Sequence, residues 1–199
     1  RMALVGESGS GKSLTAAAIL GMPPPGSQVT RGKIIMGDRN LVSLPEKLLQ
    51  KIRGKEISIV FQNPGASLNP VRTVGSQIAE ILRVHEKLSR QKSNQKAIEM
   101  LDSLGIPDPD KRGKDYPHQY SGGMAQRAAL AMAMACRPAL LIADEPTSGL
   151  DATLQQQVLD LLTSQIQEQK SSMLLITHDM SVVGSTCEQV AVMYGGRIQ

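Results

Sequence analysis

The chain has 199 residues, of which 41% are hydrophobic and 20% charged, and its formal net charge is +4. This length can bury a core, and without a run of about eighteen apolar residues we expect a soluble protein or one peripheral to a membrane. The mild charge, the lack of a dense Lys/Arg block and the scarcity of aromatic residues argue against direct nucleic-acid binding.

A glycine-rich loop lies between a predicted strand, Met2 to Val5, and a predicted helix, Lys12 to Leu20. It matches the phosphate-binding pattern G-x-x-x-x-G-K-[ST] at every fixed position, with Gly6, Glu7, Ser8, Gly9, Ser10, Gly11, Lys12 and Ser13. Since amides at a helix start attract anions, we expect this loop and Leu14 to bind nucleotide phosphates. Lys12 would reach the outer phosphates, and the Ser13 hydroxyl would bind Mg²⁺.

Glycines and prolines divide the next part of the chain into short elements. The run from Gly21 to Gly26 ends the first helix. Lys33 to Met36 and Ile57 to Phe61 are predicted strands, and Leu44 to Ile52 is a predicted short helix between them.

From Asn63 to about Tyr120 the pattern changes to amphipathic helices. Apolar residues at helical spacing predict two of them, marked by Ile78, Ile81, Leu82 and Leu88 and then by Ala97, Leu101 and Leu104. We interpret this segment as a helical lobe. A turn-rich stretch that includes Leu68 opens the lobe and could act as a hinge.

A second glycine-bearing turn, Ser121-Gly122-Gly123, opens a predicted helix that runs to Cys136. The strand Leu140 to Ala143 follows and ends in Asp144 and Glu145. Asp144 is expected to hold Mg²⁺, and Glu145 could deprotonate the attacking water. The alternative is an acidic strand end that only caps the next turn. The phosphate-binding loop upstream argues against it, because such a loop works with a carboxylate that holds Mg²⁺. The second carboxylate favours a hydrolase over a nucleotide-dependent kinase.

The last part of the chain returns to alternating elements. Thr153 to Gln169 is a predicted helix, and Met173 to Ile176 and Val190 to Met193 are predicted strands. The alternation predicts a parallel α/β core with its phosphate site at the carboxyl ends of the strands. On the helix, we interpret Gln155, Gln156 and Gln157 as a solvated face.

His178 follows the strand that ends at Ile176, so it should emerge at the same sheet edge as Asp144. An imidazole there could contact a γ-phosphate. Cys136 and Cys187 have no cysteine or histidine at metal-ligand spacing, so we expect both to be reduced and structural.

Several of these motifs, in this order, resemble those of the nucleotide-binding domain of ABC transporters. In chain order, after the phosphate-binding loop (P-loop), Gln62 resembles the Q-loop, Ser121-Gly122-Gly123 the signature loop, Ser148 to Asp151 the D-loop and His178 the H-loop. The resemblance covers essentially the whole chain. It departs from the common signature Leu-Ser-Gly-Gly-Gln at its two ends, where Tyr120 and Met124 stand.

The resemblance implies a P-loop NTPase fold, a mostly parallel sheet flanked by helices with an inserted α-helical subdomain. Residues 1–62 and 121–199 would form the ATP-binding core, and residues 63–120 the helical subdomain that contacts a permease. Gln62, Asp151 and His178 would sense or complete the site, with Gln62 also close to Mg²⁺. The family carries strands and an adenine-stacking aromatic residue upstream of the P-loop, and it continues downstream, so the resemblance also implies a chain cut at both ends.

Five strings look like the oligopeptide, dipeptide and nickel importer branch: Gln62-Asn63-Pro64, Leu68-Asn69-Pro70, Tyr116 to Gln119, Ser121 to Met124 and Ile142 to Thr147. That branch implies ATP and Mg²⁺ as cofactors and a second ATPase subunit, packed head to tail. It also implies transmembrane permease subunits, an extracytoplasmic substrate-binding protein and a peripheral position on the cytoplasmic face of the membrane.

Two other interpretations stay open. The first is a soluble ABC-type ATPase acting on ribosomes or DNA, although such proteins usually fuse two cassettes or insert long coiled coils. The second is a kinase or GTPase that uses only the P-loop, which would leave the signature loop unexplained.

Overall fold

The computed structural model describes residues 1–62 and 67–199. Within this part of the chain, six strands form one sheet in the order β4-β5-β6-β1-β7-β8. Its strands are β1 (Met2–Val5), β4 (Ile57–Val60), β5 (Leu140–Asp144), β6 (Ser172–Thr177), β7 (Gln189–Tyr194) and β8 (Arg197–Ile198). All neighbours are parallel except β7 and β8, which form an antiparallel hairpin.

The helices of the core lie on both faces of this sheet. They are α1 (Lys12–Ile19), α2 (Glu46–Ile52), α6 (Gly122–Met134), α7 (Ala152–Gln169) and α8 (Met180–Thr186). Along β5, Ile142 packs with α1 and α2 on one face, whereas Leu141 and Ala143 pack with α6 and α7 on the other. Both faces are buried, which is why β5 and β6 are apolar along nearly their whole length. The predicted parallel α/β fold is confirmed.

The helical lobe consists of α3 (Val74–Glu86), α4 (Arg90–Ser103), α5 (Pro109–Arg112) and a 3₁₀ turn at Pro117–Gln119. Buried apolar residues of α3 and α4 belong to the same cluster as Val60 of β4 and Leu175 of β6. The lobe therefore shares its hydrophobic core with the sheet. Asn63 and the three residues after it, on which part of the predicted hinge falls, lie outside the described residues.

Two predicted elements begin later than expected. The predicted strand from Lys33 is only β2 (Ile35–Met36), which pairs with β3 (Arg39–Asn40) in a separate antiparallel ribbon. It cannot begin earlier, because the amide of Ile34 donates to the Asn40 side chain and not to a strand. The predicted helix from Leu44 starts two residues later, because Leu44 precedes a proline and adopts an extended conformation.

Two residue-level predictions are corrected. Leu88 lies beyond α3, since Lys87 has a left-handed φ of 54° and ends the helix. Gln155 is not part of a solvated face, because its side chain is half-buried and bonded to Asp179. No helix in the described ranges is long and apolar enough to cross a membrane.

Candidate active site

The loop after β1 turns tightly into α1. A side chain at Gly6 would place its Cβ 2.1 Å from the Met193 carbonyl oxygen of β7, a distance that no real contact has. Gly11 has a φ of 107°, which other residues rarely adopt, and it directly precedes α1. These two glycines let the chain pass from the strand into the helix with the first-turn amides of α1 at the strand's end.

Lys12 places a buried positive charge inside this loop. The side chain is only 6% exposed, and its ammonium donates to the carbonyl oxygens of Gly6 at 2.8 Å and Glu7 at 2.9 Å. Phosphate oxygens bound at the loop would compete with these two carbonyl oxygens for the hydrogen bonds that the Lys12 ammonium donates. Gly11 offers no side-chain cap to α1, so the helix start is also open to an anion.

Ser13 and Asp144 join α1 to the end of β5. Burial raises the pKa of the Asp144 carboxyl, and a hydrogen bond donated by the Ser13 hydroxyl opposes that rise. Nearby Glu145 raises the pKa further, whereas Lys12 lowers it. Both residues line the same cavity, and a hydroxyl and a carboxylate are oxygen ligands of the kind that Mg²⁺ takes in phosphoryl-transfer sites.

Glu145 follows β5 in a left-handed conformation, with φ of 48°. Its amide donates to the Ile176 carbonyl oxygen of β6 at 2.9 Å, so the sheet holds the residue in place. This conformation costs roughly 1–2 kcal/mol for a residue with a side chain. The protein therefore carries backbone strain at the residue that the sequence predicts as the catalytic base.

Two side chains contact the Glu145 carboxylate. His178 Nδ1 lies 2.7 Å from Oε1, and the Gln62 amide donates to Oε2 at 3.4 Å. The Glu145 side chain is 20% exposed and the His178 side chain 65%. Gln62 follows β4, Glu145 follows β5 and His178 follows β6, so three adjacent strands deliver the predicted catalytic residues to one sheet edge.

One open cavity of about 690 Å³ brings most of the predicted site together. Its lining is formed by Glu7, Ser8, Gly9, Gly11, Lys12, Ser13, Leu14, Gln62, Asp144, Glu145, Ser148 and His178. This volume is in the range of small-molecule sites, which run from about 300 to 1,000 Å³. Gly6 and Ser10 belong to the loop but do not line the cavity.

Sequence reasoning named Ser148 in the stretch that resembles the D-loop but predicted only Asp151 of that stretch as a site residue. The Ser148 hydroxyl accepts a hydrogen bond from the Gln62 amide at 3.4 Å, and Ser148 lines the cavity. Its amide donates to the Glu145 carbonyl oxygen at 3.1 Å, in a turn directly after the strand. Its place at the start of the predicted D-loop, three residues after Glu145, was the signal that could have identified Ser148.

The four remaining predicted site residues lie outside this cavity. Ser121, Gly122 and Gly123 form the start of α6, where the Ser121 hydroxyl accepts a hydrogen bond from the Met124 amide at 3.3 Å. Asp151 caps α7, accepting hydrogen bonds from the amides of Thr153 and Leu154. Thus the chain does not fold its Ser121 turn over its own phosphate loop.

Comparison with known proteins finds a family match over most of the chain. Residues 1–148 match the family described as ABC transporter. The chain is 49% identical over 198 residues to the oligopeptide transport ATP-binding protein OppD of Bacillus subtilis, and 48% identical over 197 residues to the dipeptide transport ATP-binding protein DppD of the same organism. The matches cover 99% and 98% of this chain but 55% and 59% of those relatives, so the chain spans a little over half their length.

Solved structures of similar shape are ATP-binding cassettes. A dimeric post-hydrolysis state of the cassette MJ0796 bound to ADP and Pi has a TM-score of 0.85 to this chain, and a second dimeric structure of MJ0796, described as a bacterial ABC transporter cassette, has 0.84. Each is 27% identical in sequence and covers 100% of this chain and 82% of its own.

Proposed function

Because the chain belongs to the ABC transporter family, we propose that it binds and hydrolyses Mg-ATP as a subunit of an importer for peptides or a related small solute such as nickel. The observation that carries this proposal is the cavity in which the phosphate loop faces Gln62, Glu145 and His178. A phosphate cradle beside a carboxylate with two polar partners is the arrangement that nucleotide hydrolysis needs.

Binding of ATP falls to the phosphate loop. The first-turn amides of α1 and the Lys12 ammonium hold the phosphates. Ser13 and Asp144, which line the same cavity, would hold Mg²⁺ with Gln62 nearby. When bound there, the metal ion would neutralise charge on the phosphate oxygens.

Glu145 is the general base in this proposal. It accepts a proton from the attacking water, while His178 and Gln62 fix the orientation of its two oxygens. The contact with Glu145 occupies His178 Nδ1, which points to Nε2 as the nitrogen for a γ-phosphate oxygen.

A second cassette completes the site. The exposed Ser121 turn lies at a helix start, where amides attract anions, yet it does not line the chain's own cavity. It would therefore contact the ATP held by a partner subunit, packed head to tail. Binding of ATP then favours dimerisation, and hydrolysis removes the phosphate that joins the two surfaces.

The helical lobe is the proposed contact surface for the permease. A cavity of about 380 Å³ runs between α3, α4 and α5, and four basic residues line it: Arg72, Arg83, Arg90 and Lys114. Among the described residues of its lining, Asp110 is the one acidic residue. Arg72 is paired with Glu80, so the other three basic residues carry the charge that favours an acidic segment of the permease. Because its proposed substrate is ATP, the subunit would lie on the cytoplasmic face of the membrane.

Cysteine crosslinking tests this contact surface. Leu68 is unsuitable because its side chain is only 3% exposed, whereas Val71 is 79% exposed. Val71→Cys should crosslink to the permease with an efficiency that changes between ATP-bound and nucleotide-free states. Burial raises the pKa of Cys136 to about 11 and also raises the pKa of Cys187, so the native thiols react slowly at neutral pH. Crosslinks that are indifferent to nucleotide would contradict the coupling role.

The enzymatic part is tested by ATP titration and phosphate release with the purified chain. Mg-dependent hydrolysis is expected, and an absence of Mg-ATP binding would refute the proposal. Cargo class is supported by relatives named for oligopeptide and dipeptide transport. In this proposal, cargo would reach the assembly through an extracytoplasmic binding protein. Two permease genes and a binding-protein gene beside this one would exclude the alternative of a soluble ABC ATPase acting on ribosomes or DNA.

A further inference from the structure

The segment that carries His178 is tied to a distant helix by Gln155. The side-chain amide of Gln155 donates to Oδ2 of Asp179 at 3.1 Å, joining α7 to the residue next to His178. This bond spans 24 positions of sequence and connects two different elements. It is therefore a tertiary link, unlike the side-chain bonds that run along the exposed face of α7.

The other hydrogen bonds of Asp179 are local. Its Oδ1 accepts from the Ser181 amide at 2.9 Å and the Ser181 hydroxyl at 2.6 Å, and its own amide donates to the Thr177 hydroxyl at 3.0 Å. Within residues 1–62 and 67–199, the bond from Gln155 is the one recorded between the Asp179 side chain and another element. These local bonds shape the segment, and Gln155 fixes its position relative to α7.

Packing holds the His178 side chain only weakly. The His178 side chain is 65% exposed, and a small cavity of about 170 Å³ lies beside it. Glu145, Ser148, Gln155 and Asp179 also line that cavity. The imidazole of His178 has solvent on one side and a cavity on the other, so close packing does not fix its position. Hydrogen bonds must fix it instead.

The contacts form a closed ring. From Glu145 the chain runs through a short loop to Asp151. The backbone carbonyl oxygen of Asp151 accepts a hydrogen bond from the backbone N–H of Gln155 at 2.9 Å, in the first turn of α7. Gln155 contacts Asp179, the neighbouring His178 contacts Glu145, and the ring returns to its start. Removal of the Gln155 side chain opens this ring without touching the phosphate loop.

We propose that Gln155 is a positioning residue that holds His178 against Glu145 through Asp179. The role of this pair in hydrolysis rests on the proposed function, but the positioning itself is a property of the fold. A shift of about 1 Å in a group that orients the reacting atoms can reduce a rate by about a hundredfold.

The first test compares two glutamines on the same helix. Gln155→Leu should lower kcat for ATP about tenfold or more and leave KM for ATP near its original value, because substrate binding falls to a separate loop. The matched control is Gln156→Leu, which removes a bond to Asp160 at 2.8 Å that stays within α7. The control should retain the original kcat, and both variants should keep the original Tm.

A double variant that exchanges the amide and the carboxylate separates a positioning role from a general loss of structure. Gln155→Glu places two carboxylates together and should reduce kcat at least as much as Gln155→Leu. Adding Asp179→Asn supplies a side-chain amide that can donate to the new carboxylate, while the side-chain oxygen still accepts from the Ser181 amide, so activity should recover. A double variant as impaired as Gln155→Glu alone would overturn the proposal.

A direct readout of His178 needs no turnover. The chain has three histidines, so its long-range ¹H–¹⁵N spectrum contains few imidazole signals, and His178→Ala identifies those of His178. In Gln155→Leu the Nδ1 signal should move away from its hydrogen-bonded position, and in Gln156→Leu it should not. An unchanged signal and an unchanged kcat in Gln155→Leu would refute the proposal. If the unaltered chain fails to hydrolyse ATP, the proposed function fails, and the spectrum still decides the role of Gln155.

Discussion

Glu145 and Lys12 lie in one cavity but serve different steps, and single substitutions should separate them. In Glu145→Gln the phosphate loop is intact and the amide fills the same space, but the base is lost. We expect ATP to bind as before while phosphate release falls by about 10²- to 10⁴-fold, so that an ATP-bound dimer accumulates. Nucleotide titration, phosphate assay and gel filtration measure the three effects. Turnover near the original rate would remove Glu145 from the role of base.

Lys12→Ala should act on binding itself. The change removes a buried ammonium and its two bonds to the carbonyl oxygens of Gly6 and Glu7. Charge-assisted hydrogen bonds are worth about 1.5–3 kcal/mol, so Kd for ATP should rise by roughly tenfold or more. Lys47→Ala, at an exposed position on α2, is the control in calorimetric titration. Equal affinity in both variants would show that the loop holds phosphate without Lys12.

Site residues were predictable where a local rule fixes them. The phosphate loop is a contiguous pattern, and Asp144, Glu145 and His178 each follow an apolar run that could only be a strand. The contacts of Ser148 and Gln155 escaped prediction because their partners, Gln62 and Asp179, are distant in sequence. Gln155 lies beside two other glutamines on an amphipathic helix, which is the pattern of a solvated face. Only the fold brings it into contact with Asp179, the residue next to His178.

At the scale of elements, the start of α3 depends on one close approach. The Gly75 amide donates to the Gly113 carbonyl oxygen at 2.9 Å, and a Cβ at Gly75 would lie 2.7 Å from that same oxygen. Any side chain there must push α3 away from the segment that follows α5. This contact fixes the geometry of the basic cavity, which both glycines help to line.

Gly75→Ala should therefore destabilise the protein by about 1–3 kcal/mol, the usual cost of overpacking. Gly184→Ala is the matched control, because a Cβ at Gly184 in α8 meets no atom within 4 Å. That control should stabilise the protein by roughly 0.5–1 kcal/mol, since alanine is the better helix former. Urea unfolding of both variants measures the difference. A stabilised Gly75→Ala would show that this approach is looser than the structure has it.

Element types could be predicted because period and punctuation are local, but strand order could not. The strands β1, β4, β5 and β6 are all short and apolar, so nothing within them specifies a neighbour. The order places β1 between β6 and β7, although those strands follow it by about 170 and 190 residues. Element ends also moved where Pro45 and the left-handed Lys87 override apolar periodicity.

For the whole molecule, the separation of the Ser121 turn from the phosphate cavity is the feature with the widest consequence. Each chain would carry half of two different sites, so neither catalytic centre is complete without a partner. The predicted division at residues 63 and 121 stays a prediction, because one hydrophobic cluster joins the helical lobe to the sheet. A shared core would let a movement of the lobe reach Gln62 and the cavity.

Mixing two inactive variants tests whether the site is shared between chains. Lys12→Ala spoils every phosphate loop and Ser121→Arg every signature turn, so each variant alone should be inactive. In a head-to-tail heterodimer, the intact loop of the Ser121→Arg chain faces the intact turn of the Lys12→Ala chain, and one site is restored. With random pairing and independent sites, an equimolar mixture should recover about a quarter of the original activity. Each variant mixed with the unaltered chain is the control for subunit exchange. No recovery in a mixture whose subunits demonstrably exchange would mean that the Ser121 turn does not serve a partner's ATP.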